Sequence, residues 1–247
     1  MRVRPVPTQR AKSVRKSAYA GFTLVEVLVS VLVLVTVTAA VFDQISQMQK
    51  KSASEAIKLD LNQEAREFVD QTVRDLHMTG YPGANMYSDP LADTSKVAAG
   101  LVSVSPTQIL LEGDINGDGY VSSVNIYYVD SDANDPTCPC IRRSAAHKIP
   151  GSSLAQPSSP NFTETEHVFP PGTGAAQSGE DLFSFYDQNG TPVDASLGVD
   201  ISTPLGQAAI SSIRTVKINL NLRSNVRDPM TGAPIRTSMS ATSRLNH

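Results

Sequence analysis

The residues best suited to chemistry lie in one short acidic stretch, DINGDGYVS, at residues 114–122. Acidic and amide side chains occupy alternate positions there, and Gly119 follows the third of them. Calcium loops of the EF-hand type begin this way, because alternate oxygen-bearing side chains converge on the ion and the glycine permits a sharp turn. The predicted calcium ligands are Asp114, Asn116, Asp118, the backbone carbonyl of Tyr120 and, through a water, Ser122.

Two features of this stretch favour a turn without a metal. The twelfth position is Asn125 rather than the bidentate Glu of an EF-hand, and the following residues read as a strand rather than a helix. Calcium would therefore need further ligands, for example Asp130 or Asp132. A calcium loop and an Asx-rich hairpin turn both remain open interpretations.

Cys138 and Cys140 are the two cysteines of the chain, too few for a disulfide-dense scaffold or a four-cysteine zinc site. We expect them in a loop, where oxidising surroundings outside the cytoplasm would favour a small structural disulfide, with two loop thiols as the alternative. A metal site would lack partners, since His147 is the one candidate nearby. The spacing differs from that of thioredoxin-like motifs, so redox catalysis is not expected.

Enzyme signatures are otherwise absent from the 247-residue sequence. It has no phosphate-binding loop, no G-x-S-x-G, no H-E-x-x-H and no dinucleotide-binding glycine set. The histidines are scattered, at His77, His147, His167 and His247. We therefore expect a protein that is not an enzyme and has no certain cofactor, with Ca²⁺ the possible exception.

An apolar segment precedes all of these residues, at 22–42, where 16 of 21 side chains are apolar. About 20 such residues in a helix rise about 30 Å, which matches a bilayer core. Residues 1–21 carry six Lys and Arg and no acid, and the remainder has a net charge of −9. This pattern predicts a membrane anchor with its basic side in the cytoplasm. The acidic remainder disfavours broad nucleic-acid binding, because like charges repel.

The junction at residues 21–26, GFTLVE, resembles the processing site of type IV prepilins and pseudopilins. The match comprises a basic leader, Gly before the cut, Phe after it and Glu at the fifth mature position. The resemblance implies that a prepilin peptidase cuts after Gly21 and that Phe22 becomes the N-methylated mature N-terminus. It also implies that Glu26 pairs with the N-terminal amine of a neighbouring subunit, and opposite charges attract strongly once both are desolvated. A secretory signal cleaved near Ala39 is the alternative.

A single long helix is predicted over residues 22–79, with 22–42 as its transmembrane part, because neither Pro nor Gly interrupts it. Its second half repeats apolar residues at spacings of three and four, which predicts one face packed on a sheet, with charged residues such as Asp75 mostly off that face. The apolar positions are Leu61, Ala65, Phe68, Thr72 or Val73, and Leu76. Residues 64–81 resemble the helix end of PilW-like minor pilins and the related J-type minor pseudopilins.

A periplasmic β-rich globular domain is predicted over residues 80–247. Short strands are indicated near residues 101–104, 108–112, 121–129 and 181–186, and a hairpin is indicated by 213–223 with 235–245. Residues of about 150–180 are rich in Pro, Ser, Gly and Thr and predict an exposed loop. A long helix followed by strands gives the α+β class, and the resemblance implies the type IV pilin fold.

The residues and the resemblance together predict a minor pilin or pseudopilin, a structural subunit that helps initiate or join assembly of a type IV pilus or a type II secretion filament. The implied partners are other major and minor pilins or pseudopilins, the prepilin peptidase and the inner-membrane assembly platform. The implied location is the bacterial inner membrane, crossed once, with the C-terminal domain in the periplasm, and then the filament. The alternative is a single-pass periplasmic calcium-binding or adhesin module without a filament role.

Overall fold

The structure is a computed structural model that describes residues 21–89, 91–169 and 180–245. The predicted leader lies outside the described residues apart from Gly21. The chain divides into two compact units after Gln49. The α+β class is confirmed, since one long apolar helix near the N-terminus is followed by antiparallel sheets.

Helix α1 runs from Leu24 to Met78. In the unit that begins at Lys50, the face of α1 predicted to pack on a sheet is buried, because its apolar side chains return to the same side every three or four residues. The buried residues of α1 are Ser54, Leu61, Ala65, Phe68, Val69, Thr72, Asp75 and Leu76. Asp75 was expected off this face and is fully buried, which corrects that expectation.

The strands form two antiparallel sheets. Their bounds are β1 Leu101–Ser105, β2 Gln108–Gly113, β3 Ser122–Val129, β4 Cys140–His147, β5 Asn161–Thr165, β6 Phe183–Tyr186, β7 Pro192–Val193, β8 Val199–Asp200, β9 Thr215–Arg227 and β10 Pro234–Arg244. The six-stranded sheet has the order β5-β4-β3-β2-β1-β8, and the four-stranded sheet has the order β10-β9-β6-β7. A second helix, α2, spans Pro204–Ser212, and short 3-10 helices span Ala84–Met86, Thr94–Lys96 and Ser153–Ala155.

One hydrophobic core joins α1 to both sheets within this unit. Its members include Phe68 and Leu76 of α1, Ile109 and Val124 of the six-stranded sheet, and Leu220 of β9. Alternate residues of each strand point inwards, as the period of two requires. The β9–β10 hairpin pairs residue for residue from Thr215 with Arg244 to Arg223 with Arg236, which is the late hairpin that the alternation indicated.

The C-terminal end of α1 packs closely against the end of β2. The N–H of Gly80 donates to the Glu112 carbonyl, with an N···O distance of 2.9 Å. A Cβ added at Gly113 would lie 2.3 Å from the Met78 carbonyl oxygen, so only glycine fits this approach. The helix that carries the apolar segment is therefore fixed to the sheet at its C-terminal end.

Two strands lie where the sequence indicated loops. Cys140 is the first residue of β4 rather than a loop residue. The expectation of one exposed loop over residues 150–180 is wrong for β5, whose residues pair with β4. Residues 170–179 of that stretch lie outside the described residues. Backbone pairing with a neighbouring strand, which composition does not report, forms both elements.

Candidate functional site

The predicted processing site lies immediately before α1. Gly21 to Thr23 are not helical, and the Thr23 hydroxyl accepts the N–H of Glu26 at 3.3 Å, so Thr23 caps the helix. The predicted scissile bond, between Gly21 and Phe22, therefore belongs to exposed backbone outside the helix. Glu26 is the acidic residue of the first helical turn, and it too is exposed.

The first part of α1 has no cover from the described residues. All residues from 21 to 53 are exposed. An 18-residue window of this helix has a mean hydropathy of 2.6, and none of that window is buried. By length and composition the helix is able to cross a membrane. Exposed apolar surface on this scale marks a membrane or protein contact.

The second part of α1 is held to the six-stranded sheet by a buried ion pair. Arg143 Nε on β4 donates to Asp75 Oδ2 at 2.8 Å, and the Asp75 side chain has no exposed surface. Gln71 donates to the other oxygen of Asp75 at 3.0 Å. Burial raises the pKa of Asp75 even though Arg143 opposes the shift. Burial also raises the pKa of Glu164, a half-buried carboxyl on β5 near both partners.

Further polar contacts hold α1 along its length in this unit. The Glu64 carboxyl accepts the backbone N–H of Glu166 at 2.9 Å, and burial raises the pKa of Glu64. Thr237 on β10 donates to Asn62 at 2.6 Å. Sequence reasoning missed these contacts because the partners are 102 and 175 residues apart. For Asp75 a signal existed, since residues 68, 72 and 75 have the same helical spacing as the buried stripe.

The acidic loop at residues 114–122 is a turn closed by its own hydrogen bonds. The two carboxylate oxygens of Asp114 accept the N–H groups of Asp118 and Gly119, each at 3.1 Å. Asp118 accepts the N–H of Tyr120 at 2.9 Å and the side-chain amide of Asn116 at 2.8 Å. These are the side-chain to backbone hydrogen bonds that an Asx-rich turn makes.

The two further calcium ligands suggested by the sequence, Asp130 and Asp132, make other contacts, and so does Asn125 at the twelfth position of the loop pattern. Asn125 lies within β3, where its side-chain oxygen accepts a hydrogen bond from Gln108 at 2.8 Å. Asp130 follows the far end of β3, about 25 Å along the strand at about 3.3 Å per residue. Asp130 accepts the hydroxyl of Tyr128 at 2.9 Å, and Asp132 pairs with Arg142 at 2.6 Å. Calcium binding by Asp114, Asn116, Asp118, Tyr120 and Ser122 stays a prediction, without Asp130 and Asp132.

Cys138 and Cys140 form a disulfide at the start of β4. Carbonyl oxygens of this short loop accept the N–H groups of His167 and Val168, at 3.1 and 2.7 Å. Val168 in turn bridges to Leu222 of β9, so the loop connects the two sheets. Asp135 lies within 4.8 Å of both sulfur atoms, but sulfurs bonded to each other offer no thiolate to a metal.

His147 does not join the cysteines as their possible metal partner. It is the last residue of β4, seven positions along the chain from Cys140, and pairs with Ser122. Its ring lies 5.5 Å from the ring of Tyr120. His77 lies in the last turn of α1, and His247 is outside the described residues. The histidines that the structure describes therefore remain scattered, as the sequence predicted.

Comparisons with known proteins identify the N-terminal segment. Residues 16–42 match the family described as the prokaryotic N-terminal methylation motif. No curated protein and no solved structure matches the chain. The matched residues include the predicted cut, Phe22, Glu26 and the apolar residues 24–42 of α1, and they fit anchoring by a single inner-membrane span. The chain therefore carries a type IV pilin-like prepilin signal.

Proposed function

We propose that the chain is a minor pilin or minor pseudopilin, most similar to PilW-like proteins, which helps initiate or join assembly of a type IV pilus or type II secretion filament. One observation carries this proposal. The apolar half of α1 is exposed throughout and follows directly on a prepilin signal. A helix of this kind requires cover from outside the chain, first from lipid and then from the helices of other subunits.

The chemistry of processing fits the local geometry. Cleavage after Gly21 would leave Phe22 with a free amine, and methylation of an amine retains its positive charge. The mature chain would then begin two residues before α1 and present an amine and the Glu26 carboxylate on one short segment. A carboxylate in the hydrocarbon core is costly, and an amine from a neighbouring subunit would offset this cost.

The proposal gives the chain a structural role and no catalytic one. It places residues 22–42 in the inner membrane, with the basic leader in the cytoplasm and the sheets in the periplasm, as the distribution of positive charge favours. Its partners are then the prepilin peptidase, the assembly platform and other pilins or pseudopilins. The disulfide at Cys138 and Cys140 is consistent with an oxidising compartment.

The test compares two carboxylates on the exposed part of the same helix. Glu26→Val removes the proposed partner of the amine, and Asp43→Ala removes an exposed carboxylate beyond the apolar segment. We expect both variants to insert into membranes and to be processed. Glu26→Val should enter sheared filaments at least tenfold less than the wild type, which corresponds to a loss of about 1.4 kcal/mol. Wild-type incorporation of Glu26→Val, or an equal loss in Asp43→Ala, would contradict the proposal.

A further inference from the structure

The acidic loop contains an exposed Asn–Gly step, at Asn116 and Gly117. Apart from the adjoining residues, a Cβ atom added at Gly117 would have no heavy atom within 4 Å. The side-chain amide of an asparagine is open to attack by the backbone nitrogen of the next residue, and a glycine has no side chain to shield that nitrogen. The step therefore combines the two residue types that favour this attack with ready access for water.

The backbone N–H of Gly117 has no hydrogen-bond acceptor among the described residues. The next two N–H groups of the loop differ, because those of Asp118 and Gly119 both donate to the Asp114 carboxylate, each at 3.1 Å. An amide that donates a hydrogen bond must first open before a base can remove its proton. The Gly117 nitrogen does not have to break a hydrogen bond of this kind before it reacts.

The chain offers a matched Asn–Gly step at Asn189 and Gly190, which are also exposed. There the N–H of Gly190 donates to the Asp187 carbonyl at 3.2 Å. The N–H groups of Asn189 and Thr191 donate to the Asp187 side chain, each at 2.8 Å, so the turn is held on both sides of Gly190. The two steps therefore differ in backbone hydrogen bonding and not in exposure.

We propose that Asn116 is a site of spontaneous deamidation. The Gly117 nitrogen, after it loses its proton to hydroxide, attacks Cγ of Asn116. A C–N bond forms, and the side-chain nitrogen takes up protons from water and leaves as ammonia. Water then opens the resulting five-membered imide to give Asp or isoaspartate at position 116. The whole reaction consumes one water and releases one ammonia, so it needs no cofactor and no second reactant.

Deamidation changes the charge at a contact inside the turn. The side-chain amide of Asn116 donates to Asp118 Oδ2 at 2.8 Å, and the reaction puts a carboxylate in its place. Two carboxylates at this separation repel each other. Isoaspartate also adds one carbon to the backbone of the turn that Asp114 closes. We therefore expect the N–H groups of residues 118 and 119 to exchange their hydrogens faster in the deamidated chain.

The test follows both Asn–Gly steps in the same sample of the full chain. The chain is kept in detergent and mildly alkaline buffer, and mass spectrometry of its peptides measures the replacement of NH₂ by OH. Asn116 should react at least about tenfold faster than Asn189, because the Gly190 amide must open first. In denaturing urea both hydrogen-bond patterns are lost, so the two rates should agree within about threefold.

The variant Asn116→Gln is the control for the position of the reaction. Glutamine would have to form a six-membered ring, which is slower, so the peptide that contains residue 116 should keep its mass.

Equal rates at Asn116 and Asn189 in the folded chain, or no reaction at Asn116, would overturn the proposal. A tenfold difference that persists in urea would also overturn it, because the cause would then be the neighbouring sequence rather than the hydrogen bonds. Unchanged hydrogen exchange at residues 118 and 119 would contradict the expected effect on the turn. All these readouts are independent of filament assembly, so they leave the proposed function to its own test.

Discussion

The two parts of helix α1 are built from similar apolar side chains but differ in what covers them. From residue 21 to 53 all side chains are exposed, whereas eight residues between Ser54 and Leu76 are buried. The second part has its partner sheets in the same chain, and polar contacts such as Asp75 with Arg143 fix it there. The first part is exposed apolar surface, which is typical of a membrane or protein contact.

Matched phenylalanines give the largest expected contrast between the two parts. Phe68 is 3% exposed in the core, and Phe42 is 67% exposed on the first part of the helix. Phe68→Ala should lower the free energy of unfolding by about 4 kcal/mol, because it removes buried surface and leaves a cavity. Phe42→Ala should change it by less than about 0.5 kcal/mol. Urea unfolding of the sheet unit in detergent, monitored by circular dichroism, measures both changes in the free energy of unfolding. Equal losses in the two variants would contradict the difference between the two parts of the helix.

The buried ion pair should give the next largest effect. Arg143→Met leaves the Asp75 carboxylate buried without its cation and should cost about 3 kcal/mol. Adding Asp75→Leu removes the unpaired charge, so the double variant should recover most of that loss. The same unfolding assay tests both variants. A double variant no more stable than Arg143→Met would show that the pair is not what holds this part of the helix.

The acidic turn tests a feature that belongs to the sheet unit alone. Asp114→Ala removes the acceptor of two backbone N–H groups and should cost about 1 kcal/mol, because residues 118 and 119 are exposed and water takes over part of the hydrogen bonding. Membrane insertion and processing of the chain should be unaffected. If the carboxylate acts only in the turn, the loss is the same in calcium and in chelator. A larger loss in calcium would instead support the calcium loop that the spacing of Asp114, Asn116 and Asp118 predicted.

The smallest effect is a dependence on pH at the contact between α1 and β5. Burial raises the pKa of Glu164 above its ordinary value of 4.5, so the unfolded chain loses this proton first as pH rises. The ionised group therefore costs stability above about pH 4.5, and nothing below it. Glu164→Gln should unfold at the same midpoint as the wild type at pH 3 and at a slightly higher one at pH 7. A variant that is less stable at pH 7 would contradict this sign.

The helix and the late hairpin could be predicted from local patterns, because apolar residues repeat with a period of 3.6 in a helix and of 2 in a strand. Strand β4, CIRRSAAH, has no such alternation, and β5 lies in a stretch with the composition of a loop. The burial of Asp75 depends on Arg143, 68 residues away. The spacing of the acidic loop indicated oxygen ligands, but only the hydrogen bonds show that Asp114 already has two backbone donors.

The mass of the N-terminal peptide, measured on the chain from its native membrane, tests the central claim most directly. The account predicts a mature N-terminus at Phe22 that carries one added methyl group. An intact start at Met1 would make the chain an ordinary anchored protein, and a start near Ala40 would make it a secreted one. Either result would contradict an apolar helix kept for assembly.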